Sequence, residues 1–234
     1  MTQPRTPLLL LPGLLCDAAL WRPQTTDLAD IAAPIVCDLT RHDSLPAMAA
    51  SVLADAPEYF SLAGLSMGGY VAQEIMRQAP QRVLRLALLD TSARSDTEEQ
   101  LARRRGLIEL THKGEFKGVT PRLLPLFIHP DRLGDATLVD TVTRMTERVG
   151  KDAFLRQQTA IMGRPDGRAD LKRIACPTLV LCGRQDVLTP PAVHEEIAGG
   201  IRGARLEIID DCGHLSTLEA PDRVNRALRD WLSS

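Results

Sequence analysis

No stretch of this 234-residue chain approaches the roughly twenty consecutive apolar residues that a membrane helix needs, so the sequence predicts no membrane span. Charge of one sign is not in excess either. The 28 Lys and Arg against 30 Asp and Glu give a net charge of -2, and the basic residues are dispersed, which argues against a nucleic-acid partner. Their one cluster, Arg103-Arg104-Arg105, lies in a helix-like stretch and reads as a solvated face. Cysteines number only five, an odd count without metal-ligand spacing, which predicts reduced thiols, a cytoplasmic chain and no bound metal. A glycine-rich phosphate loop is missing as well: Gly64 to Gly69 fits neither the dinucleotide nor the nucleoside-triphosphate pattern, and no cofactor is expected. Leu8 to Leu11, between Arg5 and Cys16, superficially resembles a secretory or lipoprotein signal. The run is short, broken by Pro12-Gly13, and lacks the small residue before the cysteine, so it reads better as a first core strand.

What is there is the composition of a globular domain with one sizeable core, 44% hydrophobic and 25% charged. Short apolar runs alternate with helix-like stretches, the pattern of a doubly wound α/β sheet. Strands are expected near residues 7–12, 34–38, 60–65, 83–89, 177–182 and 205–209, and helices near 18–30, 45–57, 67–79, 191–199 and 217–232. The alternation lapses between about Ser92 and Leu171, where helical segments Glu98 to His112, Ala136 to Val149 and Asp152 to Ile161 follow one another. A core of residues 1–91 and 172–234 carrying a helical cap at 92–171 is therefore expected.

The chemistry-bearing motif is Gly64-Leu65-Ser66-Met67-Gly68, between the strand-like Phe60-Ser61-Leu62-Ala63 and the helix-like Tyr70 to Met76. A serine on a sharp strand-to-helix turn, with glycines two residues to either side, is the arrangement of an activated nucleophile. Its hydroxyl needs a histidine base and a carboxylate that orients it. Asp186 follows the strand-like Pro177 to Gly183, and His214 follows Arg205 to Ile209. In a parallel sheet both loops open at the edge where Ser66 stands. Asp90, closing the run Val83 to Leu89, is the rival acid. His42, His112, His129 and His194 lack comparable context and read as surface or cap residues, with His42 or His129 as weak candidates for substrate contact.

The order Ser, Asp, His on three such loops resembles the α/β-hydrolase fold over essentially the whole chain. Gly-Arg-Gln-Asp-Val-Leu-Thr-Pro and Gly-His-Leu-Ser-Thr-Leu-Glu-Ala-Pro are similar to the acid and base segments of its small esterases. The resemblance implies Ser66 as nucleophile, His214 as general base and then acid, and Asp186 as orienting acid. Oxyanion donors are expected from the Met67 amide, at a helix amino terminus, and, by the resemblance, from the Leu14 amide, with Leu15 as the alternative. Pro12-Gly13 stands where many members have His-Gly. Members commonly begin with an antiparallel hairpin, yet only six residues precede Pro7, so a sheet of about six strands lacking that hairpin is expected.

Small capped members of the family include carboxylesterases, among them those cleaving the pimeloyl-carrier-protein methyl ester, and also enol-lactonases, carbon–carbon bond hydrolases and cofactor-free perhydrolases. The implied activity is hydrolysis of a small or medium carboxylic ester. The alternatives are an acyltransferase, a carbon–carbon bond hydrolase or a cofactor-free perhydrolase using the same triad, or a non-catalytic ligand-binding protein on the same scaffold. Phe116, Leu123, Leu124, Leu126, Phe127, Ile128 and Met162 are candidate pocket residues of the cap. A monomer or weak homodimer is the default. Cys16 and Cys212, close in sequence to the oxyanion loop and to His214, are expected to make the activity sensitive to bulky thiol reagents.

Overall fold

The computed structural model describes residues 5–114 and 116–233. Six strands, β1 (Thr6–Leu11), β2 (Ala32–Val36), β3 (Phe60–Leu65), β4 (Val83–Leu89), β5 (Thr178–Gly183) and β6 (Arg205–Ile209), form one parallel sheet in the order β2-β1-β3-β4-β5-β6. The central strands are buried on both faces, as expected of parallel strands covered by helices. Their alternation sorts the core into two layers. Leu8, Leu10, Ala63, Leu65, Ala87 and Leu89 belong to one apolar cluster, and their neighbours Leu9, Leu11, Leu62, Leu86 and Leu88 to the other.

Helices α2 (Leu45–Asp55), α3 (Met67–Gln78) and α6 (Pro191–Gly200) supply the second layer with Met48, Val71, Ile75 and Ile197. The first layer is closed by Leu20 and Trp21, ahead of α1 (Arg22–Asp27), and by Val224, Leu228 and Trp231. Those three lie on α8 (Pro221–Ser233), which follows the short α7 (Ser216–Glu219). The expected helix 217–232 is thus two, because Pro221 cannot continue the hydrogen-bonding of the first. The expected helix 18–30 is likewise three short pieces, two of them single 3-10 turns around α1.

Strand β2 lies two residues earlier than its sequence suggests, with Pro34 inside it opposite Leu8. As the edge strand it tolerates a residue without an N–H. No antiparallel partner lies beyond it among the described residues.

Between β4 and β5 the chain builds α4 (Glu98–His112) and α5 (Ala136–Met162). A capping box of Thr97 and Gln100 starts α4 at the expected residue. The long α5 is interrupted at Gly150, whose φ of 75° and ψ of 178° no side-chain-bearing residue adopts readily. That break divides it where the sequence pattern separates two helices. Among the described residues the insertion forms no separate apolar cluster: Val119, Leu124, Ile128, Leu138, Val142, Met145 and Phe154 join the same cluster as Leu15, Leu20 and Trp21, and Ala160 and Ile161 join the other.

Candidate active site

Ser66 caps α3 with φ 56° and ψ -116°, a strained conformation that costs a non-glycine residue on the order of 1–3 kcal/mol. The surroundings hold it there. Its N–H donates to the Leu89 carbonyl at 3.0 Å, and its own carbonyl accepts from Gly69 N–H at 2.9 Å and Thr91 Oγ1 at 2.8 Å. The flanking glycines are required by contact: a Cβ on Gly64 would lie 2.3 Å from the Gly68 carbonyl oxygen, and one on Gly68 2.1 Å from that of Leu11.

His214 and Asp186 stand on the loops after β6 and β5 at the same sheet edge, both buried. His214 Nε2 is 2.9 Å from Ser66 Oγ, and Nδ1 is 2.8 Å from Asp186 Oδ2. The tautomer follows from the partners: with Nδ1–H given to the carboxylate, Nε2 is left to accept the serine proton. Asp186 Oδ1 takes the N–H groups of Leu188 and Thr189 at 2.8 and 2.9 Å, and Oδ2 also takes Thr189 Oγ1 at 2.7 Å. Burial favours its neutral form, but the His214 charge and these bonds together hold its carboxyl below the usual 3.8. For His214, burial opposes the charge. The Asp186 charge and hydrogen bond, with Asp90 and Glu219 behind them, outweigh it and raise the imidazole above its ordinary 6.5.

Asp90 is buried close by but does not touch His214. Its Oδ1 accepts Gly183 N–H at 3.1 Å, and its Oδ2 accepts the Ser216 N–H at 3.3 Å and the Ser216 hydroxyl. Burial and the charge of Asp186 push its carboxyl well above the usual range. Of the two acids considered in the sequence, only Asp186 is within hydrogen-bond reach of the imidazole.

The loop after β1 makes a turn in which Cys16 N–H reaches the Gly13 carbonyl at 3.1 Å. Leu15 N–H donates to Gln157 Oε1 at 3.1 Å. Of the N–H groups at positions 14–16, those of Leu15 and Cys16 are therefore occupied, and that of Leu14 has no assigned acceptor among the described residues. Gly13 abuts Ser66, since a Cβ there would be 3.4 Å from Ser66 Cβ. Met67 begins α3, where helix geometry leaves N–H groups unpaired.

Several supporting groups are not evident from the sequence. The N–H groups of His214 and Leu215 both donate to the Phe127 carbonyl, at 3.0 and 3.1 Å. Glu219, buried and pushed up by that burial, accepts Gly213 and Leu215 N–H at 3.1 and 3.2 Å on one oxygen and His129 N–H at 2.6 Å on the other. Thr189 has a faint sequence signal, an oxygen-bearing residue three positions after an aspartate. The Glu219 carboxylate has none: two of its partners, Gly213 and Leu215, are near in sequence, but the third, His129, lies about ninety residues away.

Among the predicted pocket residues, Leu124 and Ile128 are buried in the first apolar layer, and Phe116, Leu123 and Phe127 pack against it. The Phe127 ring meets that of His214 edge-on, 6.4 Å between centroids. Leu126 is half-buried. Met162 stands apart, half-buried at the end of α5 and in neither cluster.

His194 is not the surface residue its sequence context suggests. It is fully buried, accepts Thr91 N–H at 2.8 Å, and burial drives its pKa down to about 4. His129 caps a 3-10 turn by accepting Asp131 N–H, His112 is exposed, and His42 is partly exposed beyond β2. The expected thiol sensitivity also meets an obstacle. Cys16 and Cys212 are both buried, the first pushed up to about 12 by burial and Asp17 and the second higher still by burial and Asp90, so neither offers a thiolate. Among the described residues no three His, Cys, Asp or Glu side chains gather as metal ligands, and no helix is long and apolar enough to cross a membrane.

Comparison with known proteins agrees with this architecture. An esterase of Thermogutta terrifontis superposes with a TM-score of 0.90 at 30% identity, over 99% of this chain and 91% of that one. The enol-lactonase of Burkholderia xenovorans LB400 superposes at 0.89 with 23% identity, over 98% and 92%, a likeness of fold. The pimeloyl-[acyl-carrier protein] methyl ester esterase of Aromatoleum aromaticum is 29% identical over 193 residues, 78% of this chain and 77% of that protein. A model of the alpha/beta hydrolase family matches residues 8–227, and with the sheet order and site geometry described above, the chain belongs to that family.

Proposed function

We propose that this protein is a serine hydrolase that cleaves a small or medium carboxylic ester through an acyl-enzyme. The observation that carries the reading is the unbroken relay from Ser66 Oγ to His214 Nε2 at 2.9 Å and from His214 Nδ1 to Asp186 Oδ2 at 2.8 Å. Ser66 Oγ gives its proton to Nε2 as it bonds to the acyl carbon, and the carbonyl electrons move onto oxygen. The Leu14 and Met67 N–H groups receive that oxyanion, and each such donor is worth about 100- to 1000-fold in rate. When the oxyanion collapses, the ester C–O bond breaks and the Nε2 proton leaves with the alcohol. Water then gives a proton to Nε2, attacks the acyl carbon and releases the acid, and the proton returns to Ser66.

Asp186 holds the ring in the accepting tautomer and balances the imidazolium. The reaction needs no cofactor, and a small-molecule ester is the only partner it requires. The free cysteines suit the cytoplasm.

The test is hydrolysis of p-nitrophenyl esters from acetate to decanoate by the wild type and by Ser66→Ala. Loss of a triad nucleophile costs on the order of a million-fold, so activity should vanish in the variant while the chain-length optimum sizes the acyl pocket. Equal activity in both proteins would refute Ser66 as nucleophile.

A further inference from the structure

The buried carboxamide of Gln157 lies in the inserted helix α5, yet its partners are in the core. Its Oε1 accepts Leu15 N–H at 3.1 Å and its Nε2 donates to the Leu39 carbonyl at 3.2 Å. The two partners have opposite polarity, so the orientation of the amide is fixed and only a group that both accepts and donates fits. It has company on both sides: Arg148 pairs with Asp17 at 2.6 Å, and Arg156 Nε reaches the Thr40 carbonyl at 2.8 Å. Helix α5 therefore grips the loop after β1 and the loop after β2 at three points.

Leu15 is the third residue of the Gly13–Cys16 turn and has φ 58°, a left-handed value that such turns ordinarily assign to glycine or asparagine. It cannot be there by its own preference. The peptide unit joining Leu14 to Leu15 is tied at both ends, its N–H by Gln157 and its carbonyl by the Cys16 thiol at 3.4 Å. Released, that peptide can rotate, return Leu15 to negative φ and loosen the turn whose remaining N–H, that of Leu14, has no acceptor among the described residues.

We infer that Gln157 is a positioning residue for the oxyanion turn: by accepting the Leu15 N–H it holds the 14–15 peptide in the orientation that leaves Leu14 N–H free and aimed at the acyl oxygen. This rests on the serine-hydrolase reading above. Gln157 touches no reacting atom and acts through Leu15.

The experiment compares Gln157→Leu with Gln157→Glu at pH 8. The leucine variant loses the acceptor. The glutamate variant keeps an acceptor for Leu15 but sets a buried negative charge against the Leu39 carbonyl, which costs stability. If Gln157 only held the fold together, activity would follow stability. Positioning predicts instead that activity follows the acceptor, whatever the order of melting temperatures: kcat falls on the order of 10- to 100-fold in Gln157→Leu, less than outright removal of a donor, and clearly less in Gln157→Glu, while KM changes less than about threefold. Affinity for phenylboronic acid, whose tetrahedral adduct with Ser66 presents an oxygen to the same donors, should weaken in step with kcat. Gln157→Met serves in place of the leucine variant if that protein does not fold.

A kcat that tracks melting temperature, or that falls with boronate affinity unchanged, overturns the inference alone. A wild type that neither hydrolyses any ester of the series nor binds the boronate overturns the hydrolase reading, and this inference with it.

Discussion

Replacing Asp186 by Asn is the sharpest test of how the relay works, because the change is nearly isosteric and alters one proton inventory. The backbone N–H groups of Leu188 and Thr189 keep their acceptor, Oδ1, and the Thr189 hydroxyl can turn to accept instead of donate. The bond to His214 cannot adapt that way. An amide nitrogen now faces Nδ1 at the position of Oδ2, 2.8 Å away, and the imidazole satisfies it only by moving its proton to Nε2. Nε2 then no longer accepts the Ser66 hydroxyl. Loss of the accepting tautomer costs about 10,000-fold in kcat, or roughly 5.4 kcal/mol of transition-state stabilisation, with KM little changed. Asp90→Asn is the control, since Asp90 serves Gly183 and Ser216 rather than the imidazole, and it should stay within about tenfold of wild type. Steady-state hydrolysis of p-nitrophenyl acetate by both variants, with circular dichroism to establish folding, decides the matter. If Asp186→Asn stayed within tenfold while Asp90→Asn collapsed, the reasoning would be wrong and the acid would sit one strand earlier.

Two further predictions follow from the same electrostatics and burial. Because the folded protein raises the His214 pKa above 6.5, the proton persists to higher pH and the accepting form appears only above it. kcat/KM should therefore rise with pH along a limb centred above 6.5, and an acid limb at or below that value in a pH–rate profile would contradict the assignment. Native protein should leave Cys16, Cys182 and Cys212 unmodified by a bulky aromatic disulfide reagent while denatured protein titrates all five thiols, since these three are buried and their thiols are pushed up by burial. Rapid native labelling of Cys212, read by peptide mass, would show that the loop carrying His214 opens.

The parts of this molecule that could be read from its sequence are those encoded locally. Gly64 to Gly68 announces a strand-to-helix turn because the backbone contacts that demand glycine lie within a few residues or on the adjacent strand. Asp186 and His214 are legible because each follows a short apolar run, and a parallel sheet brings such ends together. Gly150 marks the break in α5 through its own backbone freedom. Other features depend on partners that no local pattern names. Gln157 is a mid-helix polar residue like many others until Leu15, 142 positions away, is seen against it. His194 is a polar residue in a helix, and its burial is explained only once the distant Thr91 N–H is seen on one ring nitrogen, with the Pro190 carbonyl near the other. The choice between Asp90 and Asp186 is of the same kind: both end strands of one sheet, and loop geometry alone decides which carboxylate faces the ring.

The Phe127 carbonyl and the Glu219 carboxylate, which stitch the insertion to the loop bearing His214, also bear on chimera design. Grafting the insertion of one relative onto the core of another at the apparent seams near residues 92 and 171 would cut this stitching as well as the anchor at Gln157. The recipient would keep Ser66, Asp186 and His214 and still lose the hydrogen bonds that hold the backbone at His214, Leu215 and Leu15. A productive exchange would transfer residues 127–129 together with 213–219, and residue 157 together with 13–16, as matched sets. In this protein the insertion and the loops it holds are not interchangeable parts but one packed unit.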